Sequence, residues 1–281
     1  LASASPFSGS VIRRLGAMIQ LAGGLVSCLI TLAGRRPAVL LGFGGYPAAA
    51  PILAAWCLKI PAVMHEQNAV IGRTNLMLAR FTKALLASWP KNKGSLGKTP
   101  VIHTGLPVRE RFTAIKPYKP NPSTSPFQLA IFGGSLGAAL FAEIIPAALA
   151  QLPATDRRRL KVTQQVREEQ KKTLDEFYHK QGISAETRIF FDDVDEVMAR
   201  ADLIITRAGA SSVAEIACAG RPAIFIPFAN AMDNHQQANA EQLCAHKGGL
   251  LLAEADLGAS ELFQRIATLM EDTGLRLEMG N

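Results

Sequence analysis

Five polar side chains near the C-terminal end of the chain have the types and the spacing needed to bind anions and hydroxyl groups. Ser211 and Ser212 open a predicted helix, and Glu215 follows one turn later on the same face. Free N–H groups at a helix start attract a phosphate, and a carboxylate one turn further in can accept two hydrogen bonds from a ribose diol. Gln236 and Asn239 are three residues apart, so on a helix they share a face that suits sugar hydroxyls.

The segments around these side chains form two successive strand–turn–helix blocks. The apolar run Leu203–Thr206 predicts a buried strand, and Ala223–Pro227 predicts the next parallel strand. Small residues such as Gly209 and Ala210 let a ligand approach the backbone closely. Each block alone fits an ordinary turn with a capping serine and a solvated glutamate equally well. The two blocks in tandem, at the ends of successive strands, favour a nucleotide-sugar site.

A glycine loop earlier in the chain is a second candidate phosphate cradle. The strand predicted over Gln128–Phe132 runs into this loop and then into a helix. The loop residues are Gly133, Gly134, Ser135 and Gly137. Backbone N–H groups in such loops point at phosphates, although the loop alone fits many nucleotide-binding proteins. A further strand is predicted over Arg188–Phe191, with Asp192 and Asp193 after it as candidate caps of the next helix.

The first half of the chain contains a βαβ unit with polar residues at its ligand-binding end. A strand within Val39–Tyr46 ends in a loop with Gly44 and Gly45, and the next strand is predicted over Pro61–His65. Ligands bind at the carboxyl ends of strands in open α/β sheets. Four hydrogen-bonding side chains stand at that end, namely His65, Glu66, Gln67 and Asn68. A turn with a capping asparagine is the simpler interpretation, and a ligand-binding loop is the favoured one.

Composition indicates a two-domain protein that prefers anionic partners. The 281 residues exceed the usual size of one domain, and 48% of them are apolar, which is enough for two cores. A net charge of +7 favours phosphates or an anionic membrane surface. No basic run is interleaved with aromatic residues, so nucleic acid is the least favoured partner. Four cysteines without CxxC spacing and five scattered histidines predict no metal site.

A proline-rich segment divides the predicted domains. Residues 116–126 read KPYKPNPSTSP, with four prolines and no apolar pattern, and are predicted to be a linker. The first domain is then expected over residues 1–115 and the second over residues 127–281. The chain begins without a methionine and ends within a helical stretch, so we expect a fragment that lacks the start of the first domain.

The stretch Leu15–Gly34 is 20 residues long, uncharged and flanked by pairs of arginines. Its length makes it a candidate transmembrane helix. Its periodicity favours another interpretation, because apolar residues form one stripe and small or polar residues form the opposite stripe. The apolar stripe consists of Leu15, Met18, Ile19, Ala22, Val26, Leu29 and Ala33. A strand is predicted two or three residues later, which favours a helix that packs partly on a sheet and partly against a membrane surface.

Together these motifs resemble those of the MurG family of N-acetylglucosaminyltransferases. The resemblance rests on GFGGY and HEQN in the first half and on the series Ala201–Ala240 in the second, and it extends from about Val11 to Leu252. It implies two Rossmann-like α/β domains that face a cleft, the GT-B type of glycosyltransferase. It also implies an inverting hexosyltransferase that moves N-acetylglucosamine from UDP-N-acetylglucosamine to lipid I, the undecaprenyl-linked muramyl pentapeptide, which becomes lipid II in peptidoglycan synthesis. Such an enzyme would be peripheral at the cytoplasmic face of the bacterial inner membrane.

The resemblance also implies roles for individual residues. The implied donor contacts are Arg109 and Ser135 at the diphosphate, backbone near Phe191 at the uracil, Ala210, Ser211 and Ser212 along the donor, Glu215 at the ribose, and Gln236 and Asn239 at the sugar. The implied acceptor side consists of Gly44, Gly45, Tyr46 and the run from His65 to Asn68, with His65, Glu66 and Asn68 as candidate catalytic residues. No metal or cofactor is expected, because Arg109, the glycine loops and the helix dipoles can neutralise the leaving diphosphate.

Three features depart from the family pattern. The family carries a GGTGGH loop near its N-terminus whose histidine is a candidate base, and this sequence has no such loop, so the general base is expected upstream. Leu106 stands where an asparagine is usual, and Leu136 stands where a polar residue is usual. Two other functions therefore remain open. One is transfer to a different lipid acceptor by an enzyme of the same fold, and the other is a non-catalytic fragment that binds UDP-sugars.

Overall fold

The computed structural model describes residues 11–90, 96–122 and 125–281, which form two compact units. Each unit is built on one parallel sheet, so the predicted pair of Rossmann-like α/β domains is confirmed. The division falls between Leu106 and Pro107. Residues 107–115, which the sequence assigned to the first domain, therefore belong to the second unit.

The first unit is a four-stranded parallel sheet in the order β1-β2-β3-β4. Its strands are β1 (Leu40–Gly42), β2 (Ala62–Glu66), β3 (Ala84–Ala87) and β4 (Val101–His103). Its helices are α1 (Val11–Arg35), α2 (Ala49–Cys57) and α3 (Arg73–Leu78), with 3-10 turns at Tyr46–Ala48 and Ala79–Phe81. The predicted βαβ unit is therefore present, with the glycine loop between β1 and α2.

The core of the first unit lies between the sheet and α2. Ile52 on α2, Met64 on β2 and Leu85 on β3 are fully buried in one apolar cluster. Burying a side chain of this size contributes about 1.5–3 kcal/mol, so the cluster fixes α2 on the sheet. The carboxyl ends of β1 and β2 are thereby held at a common edge, where the glycine loop and the polar run begin.

Helix α1 packs on α2 and keeps much of its apolar surface exposed. Leu32 packs against the cluster that contains Ala55 and Ile60. By contrast, Ile30 is 71% exposed. Within the described part of the chain, no helix has both the length and the apolar character needed to cross a membrane.

The apolar stripe predicted for α1 lies mainly on its exposed side. Ile19 and Val26 are exposed and Leu29 is half-buried. Leu15 and Met18 lie outside the described side chains. The stripe is therefore available to a partner surface over at least two turns of the helix.

The second unit is a six-stranded parallel sheet in the order β10-β9-β8-β5-β6-β7. Its strands are β5 (Phe127–Phe132), β6 (Leu160–Gln165), β7 (Ser184–Arg188), β8 (Leu203–Thr206), β9 (Ala223–Phe225) and β10 (Leu250–Leu251). Its helices are α4 (Glu110–Thr113), α5 (Gly134–Leu149), α6 (Ala154–Arg159), α7 (Glu168–Lys180), α8 (Val194–Arg200), α9 (Ala210–Ala219), α10 (His235–Cys244), α11 (Ala259–Glu271) and α12 (Thr273–Gly280). Short 3-10 turns cover Met232–Asn234 and Glu254–Asp256.

The direction of winding reverses between β5 and β8, which lie side by side in the second sheet. From β5 the chain runs through β6 to β7, and from β8 it runs the opposite way through β9 to β10. Phe132 at the end of β5 pairs with Thr206 at the end of β8. Open α/β sheets bind ligands in the crevice outside such a switch point. The glycine loop after Phe132 and the turn after Thr206 therefore meet where a ligand is expected.

The predicted strand over Arg188–Phe191 is wrong. The strand ends at Arg188 and is built from the more polar sequence before it, which pairs with β6 through the register Lys161↔Ser184 to Gln165↔Arg188. The apolar run that suggested a strand is a loop, in which Phe190 is 70% exposed and Phe191 is buried. An edge strand buries only part of its surface, so it carries a weaker apolar signal than a central strand.

The predicted capping role of Asp193 is also wrong. Asp193 is at the N-cap position of α8, but its side chain makes no capping hydrogen bond. Its two carboxylate oxygens accept from Nη1 of Arg188 instead, at 2.9 and 3.0 Å. A charged donor competes successfully with the helix N–H groups because charge-assisted hydrogen bonds are the stronger ones.

The proline-rich segment is packed onto the second unit, although the sequence predicted a linker. Tyr118 is only 5% exposed. Its hydroxyl accepts from Nε of Arg276 at 3.1 Å and lies within 3.5 Å of Asp202. The carbonyl of Lys116 accepts from the buried Arg221. Proline content correctly predicts the lack of helix and strand over residues 116–122 and 125–126, which the structure describes, but it carries no information about the aromatic anchor between the prolines.

Candidate active site

The turn between β8 and α9 presents free backbone donors at the switch point. Helix α9 begins at Ala210, with Gly209 at the N-cap position and no side-chain cap. Ser211 is exposed and Ser212 is half-buried in the first turn. Because no side chain caps this end, the first N–H groups and the positive end of the helix dipole remain available to an anion. The predicted local structure is confirmed, and contact of Ala210, Ser211 and Ser212 with a donor stays a prediction.

Arg109 and Glu215 are in direct contact in the second unit. Nε and Nη2 of Arg109 both donate to Oε1 of Glu215, at 3.2 and 2.8 Å. The Arg109 side chain is 54% exposed and that of Glu215 is 15% exposed. Within the described residues, Oε2 of Glu215 and Nη1 of Arg109 have no hydrogen-bond partner. Oε2 of Glu215 and Nη1 of Arg109 therefore remain available to a ligand, while the other polar atoms of the two side chains form the pair.

The side chain of Gln236 is oriented by two backbone amides. Its Oε1 accepts from Ala208 N at 3.3 Å and from Phe228 N at 3.0 Å. Because both partners are N–H donors, the oxygen must face them and the amide NH₂ must point the other way. Across the part of the chain that the structure describes, that NH₂ group has no partner. Gln236 therefore offers a fixed pair of donors, which suits the oxygens of a sugar.

Asn239 is fully buried, although the sequence predicted a contact with the sugar. Its Nδ2 donates to the carbonyl of Ala208 at 3.2 Å. Ala208 is thus held on both sides, because its N–H donates to Gln236 and its carbonyl accepts from Asn239. The three-residue spacing on α10 brings Gln236 and Asn239 to the same turn, as predicted, but Asn239 contacts the backbone of that turn. Its contact with a sugar stays a prediction.

The second glycine loop is arranged around a positive backbone angle. Gly134 begins α5 with φ +62, a conformation that favours glycine, and its N–H donates to Oε1 of Gln165 at 3.0 Å. Gly133 is the residue before it, at the N-cap. The side chain of Ser135 and the position of Gly137 fall among the residues whose surroundings the structure leaves undescribed, so their predicted phosphate contacts stay predictions.

Phe191 packs against Phe132, the residue that ends β5 at the switch point. Its ring packs edge-on against Phe132, with centroids 5.7 Å apart, and the guanidinium of Arg188 lies 5.0 Å from its centroid. The side chain of Phe191 is therefore used in packing, which leaves its backbone N–H and C=O as the groups able to hydrogen-bond with a base. Its predicted backbone contact with the uracil stays a prediction.

A buried ion pair that the sequence did not suggest lies beneath the turn after β8. Arg207 is 7% exposed, and Nη1 and Nη2 donate to the carboxylate of Glu254 at 3.2 and 3.3 Å. The two residues are 47 positions apart in the chain. The one signal of this ion pair in the sequence was an arginine inside an otherwise apolar turn, since a buried guanidinium needs a carboxylate or carbonyls as hydrogen-bond partners.

In the first unit, His65 is buried beside the loop that follows β4. Its Nε2 lies 3.0 Å from the carbonyl of Gly105, and its ring lies against Phe43 with centroids 5.7 Å apart. Since a carbonyl only accepts, Nε2 carries the proton. Nδ1 is buried and has no protein partner among the described residues. The ring of His65 is therefore held through Nε2, and Nδ1 is the ring nitrogen that the described protein groups leave unused.

Glu66 organises the loop after β2. The carboxylate is 1% exposed and accepts four hydrogen bonds. These are Oε1 from Asn68 N and Nδ2 at 2.9 and 3.2 Å, and Oε2 from Gly72 N and Asn75 Nδ2 at 2.9 and 2.7 Å. Both oxygens of this carboxylate are therefore engaged by donors of the protein itself. The geometry therefore favours a positioning role for Glu66 over direct catalysis.

The first glycine loop is tied to the same carboxylate through Asn75. Gly45 N donates to Oδ1 of Asn75 at 3.3 Å, while Nδ2 of Asn75 donates to Glu66. Gly44 has φ +76, and a Cβ there would come within 2.6 Å of the Asn75 amide. Tyr46 begins the 3-10 turn that follows. Asn68 and the loop with Gly44 and Gly45 thus lie together around Glu66, with Asn75 as a member that the sequence did not single out.

Comparisons with known proteins agree with this arrangement. The family model described as "Glycosyltransferase family 28 C-terminal domain" matches residues 128–280, and "Glycosyltransferase family 28 N-terminal domain" matches residues 6–87. The N-acetylglucosamine transferase of Rhodospirillum rubrum, named for N-acetylmuramyl-(pentapeptide) pyrophosphoryl-undecaprenol, is 43% identical over 265 residues, which is 93% of this chain and 68% of the relative. The transferase of the same name from Rhizobium meliloti is 41% identical, over 91% of this chain and 69% of the relative.

A solved structure, that of MurG from Acinetobacter baumannii, superposes with a TM-score of 0.77 at 31% identity, covering 94% of this chain and 73% of that one. The fold and the two matched domains thus define a glycosyltransferase of family 28, with the GT-B type of fold. Within that class the chain belongs to the MurG family of N-acetylglucosaminyltransferases. The chain spans about two thirds of the length of the relatives it matches.

Proposed function

We propose that this chain transfers N-acetylglucosamine from UDP-N-acetylglucosamine to lipid I, with inversion at the anomeric carbon, and so forms lipid II. The observation that carries the proposal is the 43% identity, over 93% of the chain, with a relative named for this transfer. The second unit supplies what a UDP-sugar requires, namely an uncapped helix start, an arginine–glutamate pair and an oriented amide at one switch point.

The donor assignments follow from the contacts in the second unit. Arg109 and the start of α9 face the diphosphate, with the first turn of α5, which contains Ser135, beside them. Oε2 of Glu215 is left free to accept from the ribose, and the backbone at Phe191 meets the uracil. The NH₂ group of Gln236 donates to the sugar, while Asn239 holds the turn on which Gln236 rests.

The chemistry is a displacement at the anomeric carbon. A hydroxyl oxygen of the acceptor sugar forms the new bond, and the bond from the anomeric carbon to the UDP oxygen breaks. UDP leaves with the bonding electrons, and the hydroxyl proton passes to a general base. The guanidinium of Arg109 and the α9 N–H groups stabilise the charge that develops on the diphosphate, which is electrostatic catalysis without a metal.

The acceptor loops are assigned to the first unit. His65 and Asn68 are the candidate groups that reach the acceptor or the reacting hydroxyl, and Glu66 holds the loop that carries Asn68. Gly44, Gly45 and Tyr46 present backbone to the acceptor pyrophosphate. We infer a positioning role for Glu66 because all four of its hydrogen bonds are made within the protein.

We further propose that the chain is a peripheral protein at the cytoplasmic face of the inner membrane. Residues 1–106 contain eleven lysines and arginines and a single acid, Glu66. Helix α1 adds the exposed side chains of Ile19, Val26 and Ile30. A basic unit with an exposed apolar helix face suits an anionic membrane that holds a lipid-linked acceptor, because basic side chains are attracted to its headgroups and apolar side chains to its interior.

Product analysis tests the proposed function. The chain is incubated with UDP-N-acetylglucosamine and a lipid I analogue, and the lipid product is identified by mass spectrometry. A product one N-acetylglucosamine heavier than lipid I supports the proposal. A product only from another lipid acceptor favours a related glycosyltransferase of the same fold, and donor binding without any product favours a UDP-sugar-binding module.

A further inference from the structure

Glu254, to which the donor assignments give no role, connects two parts of the second unit. It begins the 3-10 turn after β10. Its Oε2 accepts from Ala229 N at 2.7 Å and from Nη1 of Arg207 at 3.2 Å, and its Oε1 accepts from Nη2 of Arg207 at 3.3 Å. One carboxylate thus contacts both the turn after β8 and the loop after β9.

Arg207 makes this connection rigid. Nη1 also donates to the carbonyls of Ile226 and Pro227, at 3.1 and 3.2 Å. Its guanidinium lies 4.9 Å from the ring centroid of Phe141 and 5.5 Å from that of Phe228. A guanidinium that is held by two aromatic rings, two carbonyls and a carboxylate has little freedom to move.

The loop after β9 also controls the orientation of Gln236. Phe228 N donates to Oε1 of Gln236, and the next amide, Ala229 N, donates to Glu254. Two adjacent amides are therefore fixed by two different side chains. If Glu254 released Ala229, Phe228 would lose its constraint, and with it Gln236 would lose one of the two donors that aim its NH₂ group.

We propose that Glu254 is a positioning residue for recognition of the donor sugar, acting through Ala229 and Arg207 on the orientation of Gln236. This rests on the proposed function, in which Gln236 faces the N-acetylglucosamine of the donor. Glu254 contacts the loop and the arginine rather than the ligand. Its loss affects the sugar end of the donor more than the nucleotide end, because Ala229 is next to the amide that orients Gln236, whereas Arg207 in the turn before α9 is still held by the carbonyls of Ile226 and Pro227.

The test compares two variants of the same 3-10 turn. Glu254→Gln removes the carboxylate that holds Arg207 and Ala229. Asp256→Asn removes one negative charge from an exposed position in that turn and serves as the matched control. Calorimetry measures the binding of UDP-N-acetylglucosamine and of UDP to the wild-type chain and to both variants, and thermal unfolding checks that each is folded.

We expect Glu254→Gln to weaken UDP-N-acetylglucosamine binding up to about tenfold and UDP binding by less than about twofold, since the hydrogen bond from the Gln236 amide to the sugar is worth up to about that factor and is the one misaligned. Glu254→Asp should recover part of the loss, and Asp256→Asn should match the wild type. Equal losses for both ligands would indicate a purely structural role and overturn the inference. Unchanged binding of both ligands would overturn it as well.

Failure of the donor assignment gives a different result, because the wild-type chain itself would then bind no UDP-N-acetylglucosamine, and the inference would fall with it; failure of transfer alone, with donor binding retained, leaves this comparison of variants possible. If Glu254→Gln does not fold, hydrogen exchange on the wild-type chain replaces it. The amides of Phe228 and Ala229 should then be more protected with UDP-N-acetylglucosamine than with UDP. Equal protection with the two ligands would contradict the inference.

Discussion

Arg109 donates two hydrogen bonds to a single oxygen of Glu215, which joins the start of α4 to the first turns of α9. The two residues were assigned to neighbouring parts of the same ligand, the diphosphate and the ribose. Their contact means that each sets the orientation of the other. The Arg109 side chain is 54% exposed, so the pair contributes little to folding stability. Its main effect is to orient the two side chains.

Replacing Glu215 with alanine should weaken UDP binding by about 1.5–3 kcal/mol, the range for charge-assisted hydrogen bonds. The free Oε2 that would accept from the ribose is lost, and Arg109 loses its partner. Calorimetry with UDP measures the change. Glu271→Ala, which removes an exposed carboxylate at the end of α11, is the control. UDP binding that stays unchanged in Glu215→Ala would show that the ribose lies elsewhere.

Replacing Arg109 with alanine should weaken the binding of UDP much more than the binding of uridine. The guanidinium is assigned to the diphosphate, and uridine has no phosphate for the guanidinium to bind. If Arg109 acts only by aligning Glu215, both ligands would lose affinity to the same extent. The two calorimetric titrations on one variant therefore separate a phosphate contact from a ribose-positioning role.

Replacing Glu66 with glutamine should destabilise the first unit while leaving UDP binding unaffected. An amide cannot replace both carboxylate oxygens as acceptors, so at least one of the buried donors from Asn68, Gly72 and Asn75 loses its partner. The cost is about 1–3 kcal/mol per unsatisfied group. Urea unfolding measures stability, and calorimetry with UDP is the internal control. Full stability together with lost transfer would instead make Glu66 a catalytic residue.

Stability of the second unit should fall as the solution becomes acidic. Burial raises the pKa of Glu254, but the Ala229 N–H and the Arg207 guanidinium lower it by more, so the net pKa lies below the usual range. The pKa of Asp175 is lowered in the same way by Lys171 and Thr187, against the opposing effect of its burial. Carboxyls with depressed folded-state pKa values contribute stability above their unfolded pKa of about 4, and the contribution is lost as pH falls through the folded value.

Urea unfolding between about pH 7 and pH 3 measures this dependence, because the stability that these carboxyls contribute is lost at and below the pH at which carboxyls usually titrate. Glu254→Gln should reduce the slope of stability against pH, since one of the carboxyls with a depressed pKa is gone. A stability that stays constant over this range, or that rises as the pH falls, would contradict the assignment.

Membrane binding should depend on the exposed apolar side of α1. Ile19→Glu with Ile30→Glu places two charges on that face and should reduce binding to vesicles that contain anionic phospholipid. The control is Leu277→Glu in the second unit, where a 41% exposed leucine is changed in the same way. High salt should release only part of the wild-type chain, because salt screens the basic residues but not the apolar contact. Vesicle binding that the double variant retains in full would place the contact elsewhere.

The sequence predicted the strand, turn and helix around Ser211 well because their signals are local. The buried run Leu203–Thr206 and the small residues of the turn after it mark a central strand and a helix start, and the structure has both at those positions. The spacing of Gln236 and Asn239 likewise predicted one helix and one face. These features depend on neighbours in the chain, which a pattern records directly.

Contacts between distant segments were not predictable in the same way. Glu254 contacts Arg207, which lies 47 positions away in the chain, and Tyr118 contacts Arg276, which lies 158 positions away. The apolar run after Arg188 suggested a strand, but the edge strand before it is more polar because it is covered on fewer sides. A pattern shows which residues prefer to be buried, whereas the partner of a buried charge depends on the topology of the whole sheet.

The transfer reaction itself tests the account most directly. The chain is mixed with UDP-N-acetylglucosamine labelled in the sugar and with a lipid I analogue, and label is measured in the organic phase. We predict that label enters the lipid only when lipid I is present, that the new linkage is the β anomer by NMR, and that Glu215→Ala depresses the rate. Label that never leaves the aqueous phase, in a chain that still binds UDP-N-acetylglucosamine, would contradict the proposed transfer.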